Sequence, residues 1–392
     1  MEKSIVRFEP YYNEWISMDE TGTIYSVEFD KDFKQEDYPD ISFVKPDTSL
    51  KDACSVPIVV QILMTRRCNY NCINCFIKSS QSRDELSTEE IFSLLKQCAE
   101  KGVLFVRFSG GEATLRSDFV EIVKYARSLG LRCALLSSCR NFTEEQLEIL
   151  PELVYVQPHL DSVQENSFNK LTGGNNFKFF KQNLKKLKEL GIRINPASTL
   201  QAENKDEIKS IIDFSIEYGI PVKINALYGS GRYCLDSWID YYNNIVLPFS
   251  QEWEDLKAYA SERGCEAHAF VDRKTWEDNI EDTMAVISPW GRSFIVLDCE
   301  GNIFPSSILL GEEHKIGSIR EGDDLFDVWN NSPLLHKLRG LTKEAIGCGK
   351  CRLDCVYCNP FIGYSYFGEW GKVLPHNNCP FRKFEDETIK KD

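Results

Sequence analysis

The sequence predicts an α/β fold: a partial (β/α)6 barrel with a short N-terminal β segment and a small C-terminal cysteine-rich domain. Three observations support this. Between residues 56 and 227, apolar strand-like runs alternate six times with helical patterns, as parallel strands joined by right-handed crossovers require. Residues 1–54 instead alternate apolar with polar side chains around a turn, the period of a half-buried strand. Five of the fifteen cysteines fall between Cys348 and Cys379, a density that points to metal.

Taken in order, Ile5–Pro10 and Thr23–Phe29 read as strands joined through the turn residues Asp19-Glu-Thr-Gly22, a hairpin or small sheet. Lys31–Pro46 is charged and loop-like. From Val56 to Met64 the run is continuously apolar, as in a strand buried on both faces. Ser87-Thr-Glu-Glu then opens a helix with a capping residue. Strand Val103–Phe108, helix 117–129 with Gly130 as its stop, strand Arg132–Leu136, helix 143–150 and strand Leu153–Gln157 follow. Helix 175–190, strand Ile192–Leu200, helix 204–218 and strand Val222–Leu227 complete the six units. This gives four regions: a β segment or lid at 1–54, the barrel at 55–228, a helical connector at 229–285 and the cysteine-rich domain at 286–392.

A chain of 392 residues with 42% hydrophobic and 12% aromatic residues is folded rather than disordered. The net charge of −14 argues against nucleic acid as a partner. No run reaches the length of a membrane span, and the first ten residues hold no apolar signal core. A cytoplasmic protein with no membrane association is expected, its cysteines serving metal rather than disulfides.

Two motifs carry chemistry. Cys68-Asn-Tyr-Asn-Cys72-Ile-Asn-Cys75-Phe76 follows the first barrel strand directly. Three thiolates so close can grip one face of an iron–sulfur cube and leave one iron open; a structural zinc site would want a fourth ligand. Ser109-Gly110-Gly111-Glu112 ends the second strand, on the ligand face of such a barrel. Its glycines would admit a ligand close to the backbone, and its carboxylate could accept from an ammonium. Ser137, Ser138, His159, Asp161, Ser198 and Asn204 lie at later strand ends. His159 reads as a substrate contact or a structural histidine, and Asp161 as a site residue or a helix cap.

The Cys-x3-Cys-x2-Cys loop, with Gly110-Gly111-Glu112 one βα unit later, resembles the radical S-adenosylmethionine (radical SAM) family. The resemblance implies that Cys68, Cys72 and Cys75 hold a [4Fe–4S] cluster whose open iron chelates SAM. It implies that Gly110, Gly111 and Glu112 bind the amino group of SAM, with Ser138, Ser198 and Asn204 as further SAM contacts. The aromatic residue that usually precedes the third cysteine is Asn74 here, leaving Phe76 to contact the adenine. The C-terminal stretch, from Ile295-Val-Leu-Asp through Cys348, Cys351, Cys355, Cys358 and Cys379, resembles the SPASM domain that holds auxiliary clusters in this family. Cys348, Cys351, Cys355 and Cys379 would hold one auxiliary [4Fe–4S] cluster, with Cys358 able to exchange with Cys355. A zinc ribbon is the other reading of these cysteines. The positions matching ligands of a second auxiliary cluster are Ser288 and Ser306, so one auxiliary cluster is expected. Cys358, if spare, reads as a hydrogen-atom donor or an inert thiol.

The resemblance implies a 5′-deoxyadenosyl radical, hydrogen abstraction from a ribosomally made precursor peptide, and a thioether or carbon–carbon crosslink or an epimerised residue. A flavodoxin- or ferredoxin-type electron donor would act with it. The other readings are a radical SAM dehydrogenase and a non-catalytic metal-binding scaffold.

Overall fold

The computed structural model describes residues 3–29, 33–50, 53–78, 84–227, 232, 238–269 and 291–340. Its N-terminal sheet has four strands: β1 (Ser4–Glu9), β2 (Glu14–Met18), β3 (Ile24–Val27) and β4 (Ile41–Val44), in the order β3-β2-β1-β4. The hairpin is thus a true sheet, and Ile41–Val44 is a strand rather than loop. It pairs parallel with Ser4–Arg7, a long-range partner that the charged residues around it conceal.

The barrel strands form as expected from their apolar runs. They are β5 (Val59–Leu63), β6 (Phe105–Ser109), β7 (Arg132–Ser137), β8 (Tyr155–Pro158), β9 (Ala197–Leu200) and β10 (Val222–Ala226). All neighbours among β5–β8 pair parallel, as do β9 and β10. The bridges Val156–Ile194 and His159–Ala197 link the two sheets. Two more parallel strands flank them: β11 (Ala267–Ala269) beside β10, and β12 (Phe294–Leu297) beside β5. β12 then turns back antiparallel into β13 (Asn302–Phe304). Helices α1 (Thr88–Lys101), α2 (Phe119–Ser128) and α3 (Glu144–Ile149) cross between β5 and β8. α1 and α3 have local reasons to form. Ser87 and Glu90 close a capping box on α1, as Thr143 and Gln146 do on α3, and Gly102 ends α1 in the left-handed region. α4 (Glu165–Thr172), α5 (Phe177–Glu189) and α6 (Ile208–Tyr218) complete the wall. Among the described residues no helix is long and apolar enough to cross a membrane.

The N-terminal sheet covers the barrel floor, where the strands begin. Arg7 donates to Pro57 O and Gly102 O. Arg132, at the start of β7, donates to Met18 O, and Arg193, ahead of β9, donates to Thr21 O. Arg7 and Glu9 form a fully buried ion pair at 2.9 Å, and Glu9 also accepts from the Ser55 amide and hydroxyl. Glu9→Ala strands a buried guanidinium. We expect a loss of about 3–5 kcal/mol, read as a lowered thermal midpoint with the barrel chemistry otherwise intact.

Candidate active site

The cysteine loop leaves the top of β5 and is held from four sides. At its entry, Gly111 N–H donates to Thr65 O (2.6 Å) and Glu112 N–H to Arg67 O (2.8 Å). A Cβ on Gly111 would stand 2.1 Å from Arg67 O, and one on Gly110 would stand 2.6 Å from Thr65 O. The missing side chains of these glycines let the end of β6 press against the cysteine loop, a packing role beside the ligand approach expected of them. In its middle, the Asn71 and Ile73 amides donate to Thr172 O and Leu171 O, at the last turn of α4, where helical carbonyls otherwise lack partners. Gly173 caps α4 in the left-handed region, with Asn71 O only 2.6 Å from where a Cβ would sit. At its exit, Arg232 donates to Cys72 O (3.1 Å) and Cys75 O (2.9 Å).

Asn74 supplies the fourth tether. Its Nδ2 donates to Asp161 Oδ2 at 2.9 Å. Asp161 is buried and also accepts from His159 Nε2 (2.5 Å), Gln201 Nε2 (3.2 Å) and Thr199 N (2.6 Å). Of the two readings of Asp161, helix cap is excluded: the N-cap position of α4 is Gln164, without a side-chain cap. His159 is one-third exposed (33%). Burial disfavours its charged form, but the Asp161 carboxylate outweighs this and raises its proton affinity. Asp161→Ala leaves several buried donors unpaired. We expect a stability loss on the order of 3 kcal/mol, with faster loss of iron from the cysteine loop to a chelator.

Glu112 is 1% exposed. It accepts from Thr114 Oγ1 (2.8 Å), Ser137 Oγ (3.0 Å) and Ser138 N (2.6 Å). Among the described residues no lysine or arginine pairs with it. A buried, oriented carboxylate without a cation is suited to receive an ammonium group. Ser138 Oγ donates to Asn69 Oδ1 (2.8 Å), so Ser138 ties the third strand to the cysteine loop.

Ser198 Oγ is buried without a hydrogen-bond partner among the described residues. Asn204 is different. Its Nδ2 donates to Asp161 O (2.8 Å) and Thr199 O (2.9 Å), and its Oδ1 accepts from Gln201 N (2.9 Å). Its amide nitrogen is spent on the turn after β9, while Oδ1 keeps a second lone pair. Phe76 packs beside Cys75 against Leu63, Phe294, Val296 and Phe304. Ser306 is buried and accepts from Ile308 N. Ser288, Cys348, Cys351, Cys355, Cys358 and Cys379 lie outside the described residues.

Sequence reading missed a frame beneath the loop. Thr65 donates to Glu85, and Arg67 and Arg116 pair with the same carboxylate. Arg116 also donates to Met64 O and Leu86 O and pairs with Asp118 at 2.6 Å. Nothing in the spacing announces it, because the partners come from three separate segments.

The donor set fits a cluster. None of Cys68, Cys72 and Cys75 is in a disulfide. Burial pushes the Cys68 thiol up to about 12 and raises Cys72 as well, so these thiols would ionise only on binding metal. Among the described residues, no three His, Cys, Asp or Glu side chains converge on one ion; a cube binds each cysteine at a different iron and needs no such convergence. Among the described residues Asn69 Nδ2, Tyr70 Oη and Gln201 Oε1, like Ser198 Oγ, are buried without partners, polar edges that a bound cofactor can satisfy.

Comparisons with known proteins agree. Residues 62–215 match the radical SAM superfamily model. The chain is 26% identical over 319 residues to a PqqA peptide cyclase from Bradyrhizobium diazoefficiens, covering 77% of this chain and 80% of that one. It is 25% identical over 354 residues to the mycofactocin maturase MftC of Mycolicibacterium smegmatis, covering 85% and 86%. Among solved structures, Streptococcus suis SuiB bound to its precursor peptide SuiA superposes with a TM-score of 0.65 at 18% identity, over 79% of this chain and 74% of that one.

Proposed function

We propose, from the premise that this chain is a radical SAM enzyme with a [4Fe–4S] cluster and SAM as cofactors, that it matures a ribosomally made precursor peptide. The observation that carries this reading is that its similarity to enzymes named for peptide maturation extends over 77–85% of the chain, well past the 62–215 barrel match that the superfamily shares. SuiB, of the same fold, is a protein solved with a precursor peptide bound.

When bound at Cys68, Cys72 and Cys75, the cluster and SAM supply a 5′-deoxyadenosyl radical able to abstract a hydrogen from an unactivated carbon. The chain's own residues position and exclude. Glu112, held by Thr114, Ser137 and Ser138, would receive the SAM ammonium, and Ser198 a second polar group. Phe76, on the apolar wall beside Cys75, would lie against the adenine. The covered floor leaves the top of the barrel for the peptide, so that the target carbon is held close and water is kept out. The product would be a thioether or carbon–carbon crosslink or an epimerised residue. A flavodoxin- or ferredoxin-type protein would supply the electron, and the enzyme would work in the cytoplasm without nucleic acid or membrane. Cys348, Cys351, Cys355 and Cys379, with Cys358 as alternate, would hold one auxiliary cluster.

The test incubates the reconstituted enzyme with SAM, reductant and short peptides encoded beside its gene. Mass spectrometry showing loss of two hydrogens identifies a crosslink; an unchanged mass with a D-residue identifies epimerisation. Unmodified peptides alongside a modified small alcohol would overturn the peptide reading in favour of a dehydrogenase.

A further inference from the structure

Side chains alternate across a strand, so each barrel strand has one face toward the helices and one toward the lumen. On β6, Val106 and Phe108 are buried in the main core and Phe105 joins it at the strand's lower end, while Arg107, half-buried above it, alternates to the lumen face. On β10, Val222, Ile224 and Ala226 are buried in that core, which leaves Lys223 facing inward. The register agrees: Arg107 pairs with Gln61 of β5, itself paired with Val296 of β12, and Lys223 pairs with Ala197 of β9. The Arg107 guanidinium lies 5.7 Å from the Phe294 ring centre, on the apolar wall.

Among the described residues nothing compensates this positive charge. None of the strands β5–β12 contains an Asp or a Glu. Among the described residues no acid pairs with Arg107 or Lys223, and Arg107 Nε is buried without a hydrogen-bond partner. Burial, and then the neighbouring Arg107 charge, push the Lys223 ammonium down to about 8. Yet Lys223 remains accessible to water, as a side chain in an open chamber would be. Arg107 sits two residues below Ser109, roughly 7 Å beneath the level of the cysteine loop, and Arg132 and the N-terminal sheet close the floor. Two like charges facing one chamber disfavour each other, and an anion between them relieves both.

We propose that this lumen is a substrate subsite in which Arg107 and Lys223 hold a carboxylate of the peptide beneath the cysteine loop. The proposal rests on the peptide-maturation reading and adds to it a preference for an acidic group near the reacting carbon. A guanidinium can grip a carboxylate through two parallel hydrogen bonds, and the wall formed by Phe294 and Val296 suits the methylenes that carry it.

The test titrates the reconstituted, SAM-loaded full chain by calorimetry with three probes: N-acetyl-glutamate N-methylamide, its neutral glutamine counterpart, and N-acetyl-alanine. One acid should bind at least tenfold more tightly than the neutral probe. Arg107→Met and Lys223→Met should each weaken it by about tenfold. Which acid binds separates a side-chain carboxylate from a chain terminus. Peptide-independent cleavage of SAM to 5′-deoxyadenosine should stay at the wild-type rate in both variants, which reports separately on fold and on the cofactor reading. Equal binding of acid and amide, or variants that bind as wild type does, overturns the subsite. So does an Arg107→Met variant that loses SAM affinity while keeping the probes, because Arg107 would then serve SAM.

Discussion

Alanine at Cys68, Cys72 or Cys75 is expected to reduce formation of 5′-deoxyadenosine from SAM to the no-enzyme background while leaving the protein folded. The three residues supply all the thiolates of one loop, and a cube that has lost a protein ligand exposes a second iron and is readily lost. Their sulfur atoms add little to the fold beyond one hydrogen bond, from Tyr70 N–H to Cys68 Sγ at 3.4 Å. The loop's backbone is held by the last turn of α4, by Arg232 and by the end of β6, and these contacts do not involve the sulfur atoms. Circular dichroism and the melting temperature of the metal-free variant should therefore match those of the metal-free wild type. Chromatographic quantification of 5′-deoxyadenosine after anaerobic reconstitution reads the effect. Cleavage that survives in any of the three variants removes the loop from the chemistry and favours the scaffold reading.

Gly111→Ala is expected to do comparable damage with all three cysteines in place. The new methyl carbon would stand 2.1 Å from Arg67 O, an overlap with backbone that no rotamer change relieves. Relief requires the start of the cysteine loop to move, which breaks the hydrogen bonds from Gly111 to Thr65 and from Glu112 to Arg67. It also displaces the Glu112 carboxylate. Wild-type protein should retain about eight irons per chain, four on the loop and four at the C-terminal cysteines. The variant should keep about four and lose SAM cleavage. A wild-type count near twelve would indicate a second auxiliary cluster, and a count near four with bound zinc a zinc ribbon. A Gly111→Ala variant with full iron and full cleavage would show that the contact yields cheaply.

The site was legible where chemistry fixes spacing. Cys68, Cys72 and Cys75 lie close in sequence and Gly110-Gly111-Glu112 falls one βα unit later, so both motifs could be read in one dimension, and the fold brings them into contact. The reason for the glycines could not. A close approach of β6 to the loop depends on parallel register across more than forty residues, and the same dipeptide serves equally to admit a ligand. The turn role of Asn204 was hidden for a related reason: at the end of a strand an asparagine that completes a turn looks the same as one that waits for a ligand. Asn74 becomes intelligible only when Asp161 arrives 87 residues later in the chain. In the fold, six strands announced themselves by largely apolar runs. β4 and β11 are short, of four and three residues, and owe their existence to partners far away in sequence. β12 pairs with β5 across 235 residues, and no local pattern carries that pairing.

The account's central claim is that a radical generated beside the cysteine loop takes a hydrogen from a peptide. The direct measurement is isotope transfer: a candidate precursor peptide made with fully deuterated residues is incubated with reconstituted enzyme, SAM and reductant, and the 5′-deoxyadenosine formed is analysed by mass spectrometry. The account predicts 5′-deoxyadenosine heavier by one deuterium, in an amount that tracks the modified peptide. Modified peptide accompanied only by unlabelled 5′-deoxyadenosine would contradict it.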